Sequence, residues 1–420
     1  MKTKIKQMYV SIELVDSQVK ILINEYFNTR FNVVKVLKSN LSGMNNHHIT
    51  DRGAALKSIQ EALNEAGDKL GARIEKCILI VPPYKFKRMP LKVNINTSDG
   101  SLKKEDVVRA VNNALKIKVD NNLIIVDVAI IKYTINGITT RRFPENEICD
   151  EVLVDIDLLL ADKETTYSYV SLLEESGIRV LDVCLNSYAI AKEAALLEQG
   201  LSHNLILLNI GREETELSLI SKGKLITTEI INEGFNNLIN VLFEKYRLPE
   251  TVINRLLKYN VSYKGDYLDD VVYAWKSDNK SYSLTSENIS NDIKVTLNNY
   301  VDKIIEMSMP IIEGGNTQFV LTGEGAEMKA LSDLIKEKSN VDVRTYYPDT
   351  IGIRESSLSA LFGASVAYHD KVVLENIDVN CVDLMEYESI VDRRKIDVEG
   401  DTITSRIKNL FKQYRNKEES

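Results

Sequence analysis

Much of the chain shows the two-residue alternation of half-buried strands, interrupted by stretches of helical period. Residues 8–14 and 19–25 read as two strands joined by the turn Val15-Asp16-Ser17-Gln18, with a third strand over 31–37. Near the midpoint, 205–220 repeats the arrangement: an apolar strand, a tight turn carrying Gly211, and a return strand running on toward Gly223. Two such hairpins, about 190 residues apart, predict a duplicated domain with a cleft between its halves.

The remaining pattern fills in around them. A helix begins near residue 50 and continues to about 70, with Leu56, Ile59 and Leu63 on one face. A buried strand over 76–81 stops at Pro82 and Pro83, which cannot donate to a ladder. From 84 to 177 the texture changes to strands over 86–95, 124–136 and 151–160 and helices over 103–111 and 165–176. Ser101 is the expected cap of the first helix, with Glu105 and Asp106 near its positive end. Such a series folds as a small α+β module inserted in a larger domain. A strand over 181–185 and an alanine-rich helix over 187–198 lead to the central hairpin. Beyond it come a strand over 225–231, helices to 246 and over 249–259, and a loop or short hairpin over 261–280 that holds Trp275. A long helix over 288–312 follows. Residues 318–326 are a strand entering the turn Gly323-Glu324-Gly325-Ala326, which feeds a helix over 327–337, and 356–368 closes the second domain as a packed helix.

After His369 the period is lost, and 370–401 reads as an acidic linker. Then Ile403, Ile407, Leu410, Phe411 and Tyr414 share one face of a helical wheel, flanked by Arg406, Lys408, Lys412 and Arg415 with no acid between 403 and 415. A short basic amphipathic helix of this kind suits an anionic membrane surface. Its competing use is docking on the protein's own body or on a protein partner.

Composition narrows the function. The 420 residues carry a net charge of −8, which excludes a nucleic-acid partner in the absence of a local basic patch on the folded part. Cys77, Cys149, Cys184 and Cys381 form no CxxC pair, and His47, His48, His203 and His369 have no metal-ligand spacing. No metal site is expected, and the cysteines suit a reducing compartment. No run reaches the ~18–20 apolar residues of a spanning helix, and the expected location is cytoplasmic.

The order of parts resembles the FtsA family of bacterial actin-like division proteins. The resemblance rests on the two hairpins, the module at 84–177, the stretch Val320-Leu321-Thr322-Gly323-Glu324-Gly325-Ala326, and the amphipathic end. It implies an α/β, actin/Hsp70-like ATPase fold: two related domains around a nucleotide cleft, with an inserted α+β module of SHS2 type. The first domain would take 1–83 and 178–200, and the second 201–369 with an outer subdomain at 225–310. The resemblance places ATP with Mg²⁺ against Ser17, Asn209, Gly211, Thr215, Gly323, Gly325 and Ala326. It also implies the C-terminal tail of FtsZ as a partner, self-association into filaments, contact with other division proteins, and a peripheral position on the inner face of the membrane at the division site.

The phosphate loops depart from the family. The first is Glu13-Leu14-Val15-Asp16-Ser17, without the glycine that lets backbone approach phosphate. The second has Asn209 for the aspartate and Arg212 and Glu213 for glycines, and Glu213, Glu214 and Glu216 bring negative charge to the γ-phosphate position. The family's Ala-Glu-x-x-Lys falls near 252–256 with neither charge in register. No catalytic residue is therefore assigned; hydrolysis is not expected, and the altered loops count against ATP itself. Two other functions stay open: a PilM-like adaptor of a pilus or secretion machine, and an ATPase or sugar kinase of the same superfamily. Asn209 counts against the enzyme, and the amphipathic end against the adaptor.

Overall fold

A computed structural model describes residues 6–15, 17–45, 47–265, 271–277 and 280–389. The amphipathic positions Ile403 to Arg415 and the second part of the expected linker lie outside the described residues.

The first half opens with β1 (Gln7–Val15), β2 (Gln18–Phe27) and β3 (Arg30–Asn40), an antiparallel meander. A two-residue hairpin of β4 (Met44–Asn45) and β5 (His48–Ile49) precedes α1 (Arg52–Leu70), which leads to β6 (Lys76–Val81), parallel to β1. The start of α1 is set by Asp51, whose carboxylate accepts the Ala54 N–H at 3.1 Å.

The inserted module follows as β7 (Lys87–Asn96), α2 (Lys104–Ala114), β8 (Leu123–Ile135), β9 (Ile138–Thr140) and β10 (Glu151–Asp162). Its antiparallel sheet has the order β7-β10-β8-β9, and Leu102, Val107, Ala110, Val152, Val154 and Leu158 build a core of its own. Lys103, not Ser101, caps α2: Asp106 reaches back to accept the Lys103 N–H at 2.9 Å, while Ser101 bridges to Ile148. The module is also shorter than its texture predicts. Asp162 caps α3 (Lys163–Glu175), which buries Tyr169, Leu172 and Leu173 in the core of the first half. Then β11 (Arg179–Leu185) pairs parallel to β6, completing a sheet of order β11-β6-β1-β2-β3. The alanine-rich helix is split into α4 (Asn186–Glu193) and α5 (Leu196–Gln199) by Ala195, which sits at φ +51°.

The second half repeats the topology. A meander of β12 (Asn204–Ile210), β13 (Thr215–Ser221) and β14 (Lys224–Ile231) precedes α6 (Asn236–Tyr246) and α7 (Glu250–Tyr259). The hairpin of β15 (Val271–Ser277) and β16 (Lys280–Thr285) resolves the loop-or-hairpin expectation around Trp275. Next come α8 (Ser286–Ile312), β17 (Thr317–Thr322), α9 (Lys329–Ser339), β18 (Asp342–Thr345) and α10 (Ser359–Glu375). The sheet order β14-β13-β12-β17-β18 has three antiparallel strands and then two parallel ones, as in the first half. The duplication read from the two hairpins is real.

Two expectations about the end of the chain are corrected. Helix α10 closes the first half rather than the second: Ser365 Oγ lies 2.8 Å from Ser11 Oγ and accepts from Asn24 Nδ2 at 2.9 Å. Nor does a linker start at 370. The helix runs to Glu375, and the following strap stays on the body, where the Cys381 N–H donates to the Met8 carbonyl at 2.9 Å and Cys381, Val382 and Tyr387 are buried. Its anchoring residues are few and unevenly spaced among acids, so they leave no period to read.

Candidate functional site

The cleft lies between the two meanders. Ser17, Asn209, Gly211 and Gly323 line it, as expected from sequence. Thr215, Gly325 and Ala326 do not. Asn209 faces Glu216 directly across the β12–β13 pair and Thr215 is the next residue along, so its side chain points to the other side of the sheet. There it is fully buried, bonded to the Tyr300 hydroxyl and the Glu233 carbonyl. Ala326 belongs to the core of the second half, while Gly325 packs where a Cβ would meet Ile210. Gly323 has a backbone reason to be glycine: φ is +91°, and a Cβ would come within 2.4 Å of the Ile210 carbonyl.

A continuous polar chain crosses the cleft. Lys20 Nζ on β2 is 3.5 Å from Glu13 on β1, and Glu13 accepts from Asn186 Nδ2 at 2.8 Å. Asn186 Oδ1 in turn accepts from Asn209 Nδ2 at 3.2 Å, and the same Asn209 amide donates to Glu216 at 3.3 Å. The chain therefore joins the first sheet to the second through four side-chain contacts. Burial pushes the Glu216 carboxyl well above its ordinary range, with Glu214 and Glu13 adding repulsion against the opposing Asn209 bond. At the cleft's rim, Tyr84 donates to Glu214 at 2.6 Å, and His47 Nε2 lies 3.1 Å from the same carboxylate. This fixes the turn of the second hairpin to the first half.

The loop that should cradle phosphate is occupied with itself. The Gly211 N–H donates to the Glu214 carbonyl, and the Gly211 and Arg212 carbonyls accept from Phe235 and Asn236. Arg212 turns away onto Glu324 at 2.7 Å and Glu250 at 2.5 Å. Burial opposes ionisation of Glu324, but Lys20 and Arg212 outweigh it and hold the carboxyl below its ordinary value. The cleft retains about 80 Å³ of free space, enough for a few waters and small beside a ligand pocket. Glu13, Glu213, Glu214, Glu216 and Glu324 all line it, against the cations of Lys20 and Arg212. Those residues do not fit a magnesium-bound triphosphate: five carboxylates crowd the space, and the two cations and the Asn186 and Asn209 amides that could receive phosphate oxygens are already engaged by Glu13, Glu216, Glu250 and Glu324. Sequence reasoning marked Glu13 and the Glu213–Glu216 acids but missed Asn186, Tyr84 and His47, whose partners Glu13 and Glu214 lie more than a hundred residues away, and also Lys20, the cross-strand neighbour of Glu13 within the predicted hairpin.

No family model matches the chain. Among curated proteins it is 23% identical over 358 residues to the cell division protein FtsA of Bacillus subtilis, covering 83% of this chain and 80% of the relative. It is 22% identical to FtsA of Staphylococcus epidermidis over 98% of this chain and 89% of the relative. With FtsA of Enterococcus hirae it shares 20% identity, covering 96% and 98% of the two chains. Solved structures that share the fold include the following two. One is a PilM–PilN type IV pilus biogenesis complex, with TM-score 0.55, 12% identity and coverage of 86% of this chain and 98% of that one. The other is MreB5 of Spiroplasma citri bound to ADP, with TM-score 0.52, 12% identity, and coverage of 88% and 98%. The chain is an FtsA-like protein of the actin-like ATPase fold, related over nearly its whole length to bacterial cell-division proteins.

Proposed function

We propose that this protein is a division-site tether that works without a nucleotide cycle, joining filaments of FtsZ to the inner face of the membrane. The observation that carries the reading is the side-chain chain Lys20–Glu13–Asn186–Asn209–Glu216, which bridges the two halves where a nucleotide would otherwise join them. A cleft closed by its own residues supports a permanently assembled scaffold with neither ATP, Mg²⁺ nor hydrolysis. Similarity to FtsA proteins along nearly the full length supports the division role. The apolar face of Ile403, Ile407, Leu410, Phe411 and Tyr414, with its basic flanks, supplies the membrane anchor. The FtsZ tail would dock on the outer subdomain around α6–α8, and self-association would multiply weak single anchors into firm attachment. The pilus-adaptor alternative has fold likeness alone behind it.

Two measurements test this. Co-sedimentation with vesicles containing phosphatidylglycerol, with and without added FtsZ, should show the full chain carrying FtsZ to the pellet, and deletion of 403–420 should abolish it. A fluorescent ATP analogue should show no Mg²⁺-dependent binding at micromolar concentration. Unchanged sedimentation of the truncation sinks the tether; tight Mg²⁺-dependent binding sinks the nucleotide-free reading.

A further inference from the structure

The chain passes from the first half to the second through α4 and α5, and returns through residues 346–358 into α10. Any change in the angle between the halves must be absorbed at these crossings. The outward crossing has a joint built into it, the break at Ala195 with φ +51°.

The inserted module grips that crossing at both ends. At its start, Asp127 on β8 accepts the N–H of Leu185, the residue that caps α4, at 2.8 Å. Leu185 precedes Asn186, the middle of the side-chain bridge across the cleft. This end is fixed firmly: Lys371 lies 3.3 Å from Asp127, and Val126, Ala129 and Ile131 of β8 join the core of the first half. At the other end, Arg141, in the loop after β9, donates from Nη2 to the Lys222 carbonyl at 2.8 Å. Lys222 and Gly223 form the two-residue turn between β13 and β14, both in left-handed backbone with φ +52° and +72°. The Gly223 N–H of that turn donates to the carbonyl of Gly200, where α5 ends, at 3.1 Å.

The seat for Arg141 is shaped to it. A Cβ on Gly223 would lie within 2.8 Å of the guanidinium carbon, so the planar head fills space that glycine leaves open. The loop that carries Arg141 is held to the module in turn. Phe143 is tilted against Tyr133 of β8 with ring centroids 5.8 Å apart, and the Thr140 hydroxyl donates to the Arg142 carbonyl at 3.2 Å. The two grips differ in kind. Asp127 is buried, whereas Arg141 is exposed. Among the described residues, none from the second half enters the module's own core.

We infer that the module is a clamp on the crossing between the halves, and that Arg141 is its releasable jaw. With Arg141 seated, the crossing is held at Leu185 and at Gly200, and the halves keep one angle. With Arg141 withdrawn, the Gly200 end turns about Ala195, and the cleft bridge through Asn186 loses its fixed geometry. Nothing in this depends on the anchor at 403–415 or on FtsZ.

The test uses the full chain, whose four cysteines are all buried, so that spin labels go to introduced ones. Two exposed pairs serve. Glu61→Cys with Val295→Cys reads one half against the other, and Glu61→Cys with Ile138→Cys reads the module against the first half. Arg141→Ala should about double the width of the first distance distribution and leave the second unchanged. Amide exchange across 196–200 and 222–224 should quicken about tenfold, the size expected for losing one charged hydrogen bond. Gly223→Asn is the second variant. Asparagine tolerates the left-handed turn, but its Cβ takes the guanidinium's seat, so it should reproduce both effects with Arg141 still present. An unchanged width between the halves in both variants overturns the clamp. So does broadening of the module pair alone, which would mean that Arg141 steadies the module and not the crossing.

Discussion

Glu193 illustrates how burial alone can give a side chain a pH dependence in the neutral range. Burial raises its carboxyl from 4.5 to about 7, partly offset by the Tyr346 hydroxyl at 3.2 Å, while Asp349 adds to the rise. The folded state thus holds this proton more tightly than the unfolded chain. The resulting stability is full below the unfolded value of 4.5 and is lost as pH rises through about 7. Urea unfolding should show the wild type losing about 1 kcal/mol between pH 6 and 8 relative to Glu193→Gln; parallel pH profiles of the two proteins would refute the assignment. The cleft shows what residue-level reading can reach. Asn209, Gly211 and the Glu213–Glu216 acids were legible as altered phosphate positions because they sit in one local motif. Thr215 was misplaced because motif order ignores the alternation of strand faces, which sends it to Tyr300.

Helix α10 is the element whose partner was misjudged. It is buried almost all round and rich in small residues, so its composition marks a packed helix and leaves no polar face to orient it. What positions it is the approach to α4, so close that a Cβ on Gly363 would lie 1.9 Å from the Ala189 carbonyl. Gly363→Ala must force the two helices apart and should lower stability by about 2–4 kcal/mol, read from the urea midpoint. An unchanged midpoint would show that the contact relaxes freely. The inserted module was legible as strands and helices, but its end was not. The signal that α3 belongs to the first half is the burial of Tyr169, Leu172 and Leu173 against that core, a fact about three-dimensional neighbours.

At the scale of the molecule, an ion cluster centred on the buried Asp127 ties three parts together. Lys371 on α10 reaches Asp182 on β11 at 2.6 Å and Asp127 on the module's β8 at 3.3 Å, and Asp127 also accepts the Leu185 N–H at 2.8 Å. Burial drives the Asp127 carboxyl up to about 6 despite the lysine. Ending the chain after residue 369 therefore strands the buried Asp127 and the half-buried Asp182 carboxylates and strips the strap from β1 and β6. Such a truncation should lose more than about 3 kcal/mol or prove insoluble. Ending it after 389 should keep the full-length urea midpoint while losing vesicle binding. Equal stability of the two truncations would restore 370 as the start of a linker. Sequence by itself determined the duplicated strand–turn–strand plan, the presence of a module, and the acidic residues that stand at the two hairpin turns, since each is encoded in local period or local chemistry. Tertiary structure alone decided that the cleft is bridged by Asn186, Tyr84 and His47, that the last helix belongs to the first half, and that the 380–389 strap lies against Lys6 and Met8 at the start of β1. These are contacts between residues far apart in the chain, and no short-range pattern encodes which distant side chain will be the neighbour.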